Sequence, residues 1–556
     1  MDHDDLGVFA DPDAPAHVAA GLWRSHSTLI DDLIAAADAS PDKTAAICYG
    51  ETVRRTSYRQ LHDRVTRLAL LLTQQNVRRG DVVAIQLPNS EELIALALAV
   101  CAVGAIPAPI LPAMRAREVE YILKLTESQV YFGAESFRGF SYLPMLEEVS
   151  ARLAQPPRCV LVATSDESRA RVAAAGFPCL SEWEAAPVSA ESPKALRRLA
   201  RTLNADDVCQ LMFTSGTTGE PKGVMHTHNT LYAMNKVQAD VMGLDSATIT
   251  CMGSPTAHQA GYTWNFIMPL ILGATAVQVE RWDPDLVLDI IEREKVTFFM
   301  GAPTFLIDLI AAQESRPRDL STLVSFVTGS APIAPHLTEA AHRVLGCRLY
   351  SEWGMTENGC VTVTRRSEPM LRASECDGSA VDGMAVRITA DDGSSVTAVG
   401  PIGELQVKGA SQCTGYFRRP ETYAECLTSD GWFRTGDLAR WTDDEGIRIC
   451  GRTKDIISRG GEKIPVAEVE SALLGMAAVR DVAVIAVPDA RLGERSCAVL
   501  VTDGAEPSLP EITRHLEALG MAKIYWPEEI RLVESLPRTT TGKVQKFLLR
   551  EGLGSL

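Results

Sequence analysis

This sequence predicts a layered α/β fold: a large N-terminal domain of sheets and helices with a β-rich subdomain, then a small α+β C-terminal domain. Three observations support that class. Apolar strand-like runs alternate with amphipathic helix-like segments through the first part of the chain, the pattern of helices covering parallel sheets. After about residue 375 the texture changes to short strands punctuated by turns. A length of 556 residues also exceeds what one hydrophobic core fills, so at least two domains are expected.

Taken in order, VVAIQL (82–87), QVYFGA (129–134), CVLVAT (159–164), TFFMG (297–301) and LVSFVTG (323–329) read as strands. Between them SYRQLHDRVTRLALLLTQQ and PDLVLDIIEREK carry the helical period. The stretch from Leu93 to Leu111 is about long enough to cross a bilayer. It is alanine-rich, is broken by Gly104, Pro107 and Pro109, and lacks flanking basic residues, so it reads as a buried helix ending at Gly104 and a short strand. AVRIT, GELQVKG and GIRICGR are the short strands of the β-rich region. From Ile464 onward the pattern is a helix from Val466, strands DVAVIAV and SCAVLVT, helix PEITRHLEAL and strand EIRLVESL. The predicted division is therefore 1–451 for the large domain, 452–456 for a connecting segment and 457–556 for the small domain.

The net charge of −17 argues against nucleic acid as the main partner and against an electrostatic hold on anionic membranes. Thirteen cysteines are scattered with no CxxC pair, the pattern of reduced core thiols in a cytoplasmic protein rather than of a disulfide framework. The acidic N-terminus MDHDDLGVFADPDAP lacks a basic segment followed by an apolar one, so no signal peptide is expected. Oligomeric state stays open between monomer and homodimer.

QLMFTSGTTGEPKG (210–223) is a strand, a loop of Ser, Thr and Gly, then Lys222. Glycines let a backbone approach an anion and aim several N–H groups at it, hydroxyls donate further bonds, and a lysine adds a mobile charge. That is a phosphate cradle, although not of the Walker form, since Lys222 is followed by Gly223. The string resembles the phosphate loop of the adenylate-forming enzymes, the superfamily of acyl-CoA synthetases, peptide-synthetase adenylation domains and firefly luciferase. The resemblance implies ATP contacts from Thr214, Ser215, Gly216, Thr217, Thr218, Gly219 and Lys222.

Further motifs follow in the superfamily's order. YSEWGMTENG (350–359) resembles its YGxTE segment, which implies adenine stacking by Trp353, in place of the usual tyrosine, with nucleotide contacts from Glu352, Gly354 and Met355. It also implies an α-phosphate contact by Thr356 and Mg²⁺ held by Glu357. Gly329, Ser330, Ala331 and Pro332 match the strand end that closes over adenine. GWFRTGD places Asp437 to accept the ribose hydroxyls, with Arg452 reaching the ribose and Lys454 at the hinge position. PRTTTGKVQK resembles the C-terminal motif whose lysine enters the active site, here Lys543. The resemblance spans nearly the whole chain and implies that the small domain is mobile about its hinge, with Gly460 and Gly461 lining a pantetheine tunnel.

The acid pocket is the least defined region. SPTAHQAGYTWNF (254–266) matches the acyl-pocket segment, with His258 and Gly261 in HxxG spacing. His258 either contacts the acid or is a satisfied core histidine; Tyr262 and Trp264 either select an apolar or aromatic acid or are core. No aspartate stands there to hold an ammonium, so an α-amino acid is not expected. FRGFSYLPML, ERWDPD and MGAPTFL bring the chain nearest the AMP-dependent fatty-acid and cyclohexanecarboxylate–CoA ligases. The implied activity is AMP-forming ligation of a small carboxylic acid with ATP and Mg²⁺, with coenzyme A as acceptor and Arg459, Lys463 and Arg495 as candidates for its 3′-phosphate. Two alternatives stand beside it: a different acceptor (a carrier-protein thiol, an amine, or nitrite activation for aryl-amine diazotisation), and a non-catalytic nucleotide-binding scaffold.

Overall fold

The computed structural model describes residues 6–188, 194–214, 221–330, 333–443, 445–453, 457–459, 462–489, 491–502, 504–538 and 544–553. The chain forms two compact units. The first comprises Met1–Met300, Met355–Gly359 and Gly409–Glu425; the second comprises Gly301–Gly354, Cys360–Lys408 and Cys426–Leu556. Residues 452–456 fall within the second unit, and Lys454 lies outside the described residues.

In the first unit, Phe298–Met300, Ile249–Met252, Thr275–Val279 and Thr44–Tyr49 lie side by side as parallel strands, and Val53–Ser57 pairs antiparallel at the edge. A second parallel sheet runs Ile106–Pro109, Val82–Gln86, Val130–Ala134, Arg158–Val162. The strand with two prolines takes the edge, where a missing N–H costs no ladder bond. Helix Tyr58–Gln74 is capped by Ser57, whose side chain accepts from the Gln60 N–H. All twelve residues of helix Glu91–Ala102 are buried, which accounts for its membrane-like composition. Among the described residues, no helix is long and apolar enough to cross a membrane. Val208–Thr214 and Lys222–Thr227 form an antiparallel pair in which Thr214 faces Lys222.

In the second unit, Ser325–Thr328 pairs parallel with Arg348–Met355, and Gly359–Val363 pairs antiparallel with Ser379–Ala380. Met384–Thr389, Gly403–Gly409, Phe433–Trp441 and Ile447–Arg452 make a separate four-stranded sheet, the β-rich texture read after residue 375. The last hundred residues form a sheet around the long hairpin Val479–Asp489 and Gly493–Thr502, covered by helices Val466–Leu474 and Leu509–Ala518. Val469, Leu473, Ile512 and Leu516 project from those helices into its core. All thirteen cysteines are free thiols and twelve are buried.

Candidate active site

The site residues fall into two clusters, one in each unit. In the first unit, the segment around Cys413–Phe417 runs along the strand that opens at Lys222. The Thr414 N–H donates to the Met225 carbonyl at 3.0 Å, the Met225 N–H to the Gly415 carbonyl at 3.1 Å, and the Phe417 N–H to the Gly223 carbonyl at 2.8 Å. This pairing carries Tyr416 beside Lys222, whose Nζ lies 4.8 Å from the ring centroid, a cation–π contact. The Tyr416 hydroxyl donates to Oε1 of buried Glu357 at 2.8 Å. The main chain is fixed too, since the Cys413 N–H donates to the Glu357 carbonyl at 2.7 Å.

Thr356 is held from the strand side. His226 Nε2 lies 2.8 Å from the Thr356 carbonyl oxygen, so that nitrogen carries the proton, and Nδ1 faces the Thr230 hydroxyl at 3.1 Å. Burial pushes His226 down to about 4, with the Thr356 carbonyl pulling the other way, so the ring is neutral at physiological pH.

In the second unit, Asp437 and Arg452 face each other on adjacent strands, and Arg452 Nε reaches Asp437 Oδ1 at 3.0 Å. The Trp353 indole N–H donates to Asp437 Oδ2 at 2.9 Å. The resemblance implies adenine stacking for Trp353; in the structure its indole is a hydrogen-bond donor to the carboxylate that the resemblance assigns to the ribose. Each carboxylate oxygen keeps a second acceptor direction, so both bonds leave room for ribose hydroxyls. Gly329 lies against the next strand, where a Cβ would come within 2.7 Å of the Glu352 carbonyl oxygen. Ser330 follows with φ +70°, a left-handed conformation that non-glycine residues adopt at a cost of order 1 kcal/mol and mostly at functional sites. Burial pushes Glu352 up to about 7, and its Oε2 is buried without a hydrogen-bond partner among the described residues.

In the acid-pocket segment, His258 caps the helix Gln259–Tyr262, its side chain accepting from the Ala260 N–H. A Cβ on Gly261 would run into the Pro255 carbonyl oxygen. Thr263–Ile267 is a turn of π-helix, a form frequent at functional sites. Tyr262 and Trp264 are core: the first packs edge-on against Phe266 at 4.9 Å, the second stacks on Phe298 at 5.4 Å. Ser215, Gly216, Thr217, Thr218, Gly219, Ala331, Pro332, Gly460, Gly461 and Lys543 lie outside the described residues.

The family model for the AMP-binding enzyme matches residues 33–417, and that for the AMP-binding enzyme C-terminal domain matches residues 468–543. The chain belongs to the AMP-binding enzyme family. Its relatives within that family include the medium-chain fatty-acid–CoA ligase of Escherichia coli (strain K12), 32% identical over 97% of this chain and 92% of the relative. Another is the 2,3-dihydroxybenzoate–AMP ligase of Bacillus subtilis (strain 168), 31% identical over 96% of this chain and 95% of the relative. Among solved structures, the anthranilate CoA ligase AuaEII in complex with anthranoyl-AMP superposes with a TM-score of 0.85 at 25% identity, covering 96% of this chain and 99% of that one. The chain is thus an adenylate-forming AMP-binding enzyme, and its relatives differ in what receives the activated acid.

Two members of these clusters escape sequence reasoning. Tyr416 sits in CTGYFRRPE, 194 positions after Lys222, and only the strand pairing brings the two together. His226 lies four residues past Lys222, but a strand histidine carries no signal of what its ring will meet.

Proposed function

We propose that this enzyme activates a small carboxylic acid with ATP to the acyl-adenylate and transfers the acyl group to the thiol of coenzyme A. The observation carrying this reading is the Lys222–Tyr416–Glu357 chain of contacts, one cation and one carboxylate fixed on a single tyrosine. Support for the acceptor comes from the fatty-acid–CoA ligase relative.

A carboxylic acid with a pKa of about 4 is already ionised at neutral pH, so it attacks the α-phosphorus without a general base. The C–O–P bond forms as the bond from the α-phosphorus to the bridging oxygen breaks, and pyrophosphate leaves with that electron pair. What the protein must supply is compensation for negative charge. Lys222 is assigned the phosphates of ATP, and Lys543 the oxyanions of the reacting centre. Tyr416 keeps the Glu357 carboxylate from rotating, and His226 holds the Thr356 main chain beside it. Asp437 and Arg452 are assigned the ribose. Glu357 suits Mg²⁺, which binds through one or two hard carboxylates plus phosphate oxygens and water; when bound, the ion supplies neutralisation of phosphate charge. In the second half-reaction the CoA thiol gives up its proton to solvent, its sulfur attacks the acyl carbonyl, the C–S bond forms, and the C–O bond breaks as AMP leaves with that electron pair.

The alternative acceptor reading draws on the aryl-AMP ligase relative. A panel of acids assayed for pyrophosphate exchange, then for AMP release with and without CoA, separates the two. CoA-dependent AMP release with thioester formation is expected; exchange without any CoA response overturns the acceptor, and no acid-dependent exchange overturns the activation. Lys543→Ala is expected to slow exchange about 10²–10³-fold, the effect of removing one positioned donor.

A further inference from the structure

Tyr416 stands on a segment that comes in from elsewhere in the chain. Gly409–Glu425 packs within the first unit, whereas Lys408 and Cys426 on either side of it belong to the second. The strand that opens at Lys222 holds this segment through the main chain of Gly223 and Met225. A second stretch, residues 6–9, holds it as well. The Phe9 N–H donates to the Thr414 carbonyl at 2.6 Å, and the Arg418 N–H donates to the Leu6 carbonyl at 3.0 Å. Those two bonds flank Tyr416, one two residues before it and one two residues after it.

The arm and the segment lie backbone to backbone. A Cβ on Gly415 would come within 2.7 Å of the Gly7 carbonyl oxygen, and one on Gly7, itself left-handed at φ +76°, would meet Pro420 at 3.3 Å. Side chains anchor both ends of the arm. Leu6 is buried in the core that also holds Met225 and Phe417. Phe9 packs against Tyr423 with ring centroids 5.0 Å apart, and Tyr423 packs edge-on against Tyr416 at 5.5 Å. The Tyr423 hydroxyl donates in turn to the Cys413 carbonyl at 2.7 Å. Further along, the indole N–H of buried Trp23 donates to the Ala410 carbonyl at 2.8 Å. A side chain that has to orient a reacting group works only when its own backbone and rotamer are fixed by a surrounding shell. For Tyr416, part of that shell comes from residues more than 400 positions earlier in the sequence.

We infer that Leu6 and Phe9 are positioning residues for acid activation, seating Tyr416 against Lys222 and Glu357. The inference rests on Tyr416 serving the activation step as proposed above. The test compares wild type, Leu6→Ala/Phe9→Ala, Tyr416→Phe and the triple variant in pyrophosphate exchange, with an acid that supports it in wild type. The arm variant is expected to lower kcat about three- to tenfold, since the Tyr416→Phe loss is the ceiling for an effect that runs through Tyr416 alone. The KM for ATP is expected to stay within about twofold, because Trp353, Asp437 and Arg452 are untouched. In the Tyr416→Phe background the same two substitutions are expected to change kcat by less than about twofold, the hydroxyl they position being gone. A second readout needs no turnover: amide hydrogen–deuterium exchange, followed by mass spectrometry without nucleotide or metal. Residues 409–425 are expected to exchange at least about tenfold faster in the arm variant, while the hairpin 479–502 keeps its wild-type rate.

A wild-type kcat in the arm variant overturns the inference, as does unchanged deuterium uptake over residues 409–425. A kcat loss of equal size in both backgrounds overturns it too, because general destabilisation would not depend on the Tyr416 hydroxyl. Tyr416→Phe at the wild-type rate overturns the reading of Tyr416 instead, so the two failures are distinguishable. If the double substitution yields no folded protein, Phe9→Ala alone, which keeps Leu6 in the core, replaces it with the same outcomes at smaller size.

Discussion

Replacing Trp353 by phenylalanine separates the two things its indole can do. Phenylalanine keeps a flat face for adenine but has no N–H for Asp437. Hydrogen bonds to charged groups contribute about 1.5–3 kcal/mol, and because Arg452 still engages the other oxygen, the lower end applies. About 1.5 kcal/mol corresponds to roughly tenfold in a binding constant. The KM for ATP in acid-dependent pyrophosphate exchange is therefore expected to rise about tenfold in Trp353→Phe. Asp437→Asn, which weakens the same bond from the other side, completes a double-mutant cycle with an expected coupling of about 1 kcal/mol. A Trp353→Phe enzyme within twofold of wild type, or additive effects in the cycle, would refute the argument and leave the indole as a stacking surface only.

Three further outcomes are expected. Tyr416→Phe removes the donor to Glu357 but keeps the ring under Lys222, so kcat for exchange should drop about tenfold with a raised Mg²⁺ requirement; Tyr416→Leu should drop further, and wild-type rates in both would disprove the contact's role. Burial pushes His226 down to about 4 and His228 to about 3, so below pH 6.5 the unfolded chain takes up protons that the folded one refuses, and stability falls as pH drops. The loss is about 2 kcal/mol for each by pH 5; because Asp32, pushed up to about 6 by burial, works in the opposite direction, the readout is the difference in denaturant midpoints between wild type and His226→Leu at pH 7.5 and pH 5, and no pH dependence in that difference contradicts the assignment. Gly261→Ala forces a methyl against the Pro255 carbonyl oxygen and should cost about 1–3 kcal/mol in thermal unfolding; an unchanged melting temperature would show that the backbone there yields freely.

Much of the fold was legible because local pattern and tertiary role agree. The helix Tyr58–Gln74 is amphipathic and lies on a core, and the strands Val82–Gln86 and Val130–Ala134 are continuous apolar runs because both faces of their sheet are covered. The exposed edge strand Val53–Ser57, sequence VRRTS, has no such signature, since pairing with Thr44–Tyr49 rather than burial makes it a strand. The same distinction holds at the site. Lys222, Trp353, Glu357 and Asp437 stand in contiguous strings, whereas Tyr416 and His226 act through partners distant in sequence. Trp353 shows the intermediate case: its place was readable from the string GMTE after it, but its bond to Asp437, 84 positions away, was not.

The route of the chain has a consequence for how this protein can be taken apart. Met355–Gly359 and Gly409–Glu425 belong with the first 300 residues although the stretches flanking them belong to the other unit. No single cut therefore yields two complete halves: a fragment ending at Met300 lacks Glu357 and Tyr416, and one starting at Gly301 carries both as foreign pieces. Fragment complementation, domain shuffling and circular permutation must respect that interlacing, and a gene fusion made at residue 300 would sever Lys222 from its tyrosine.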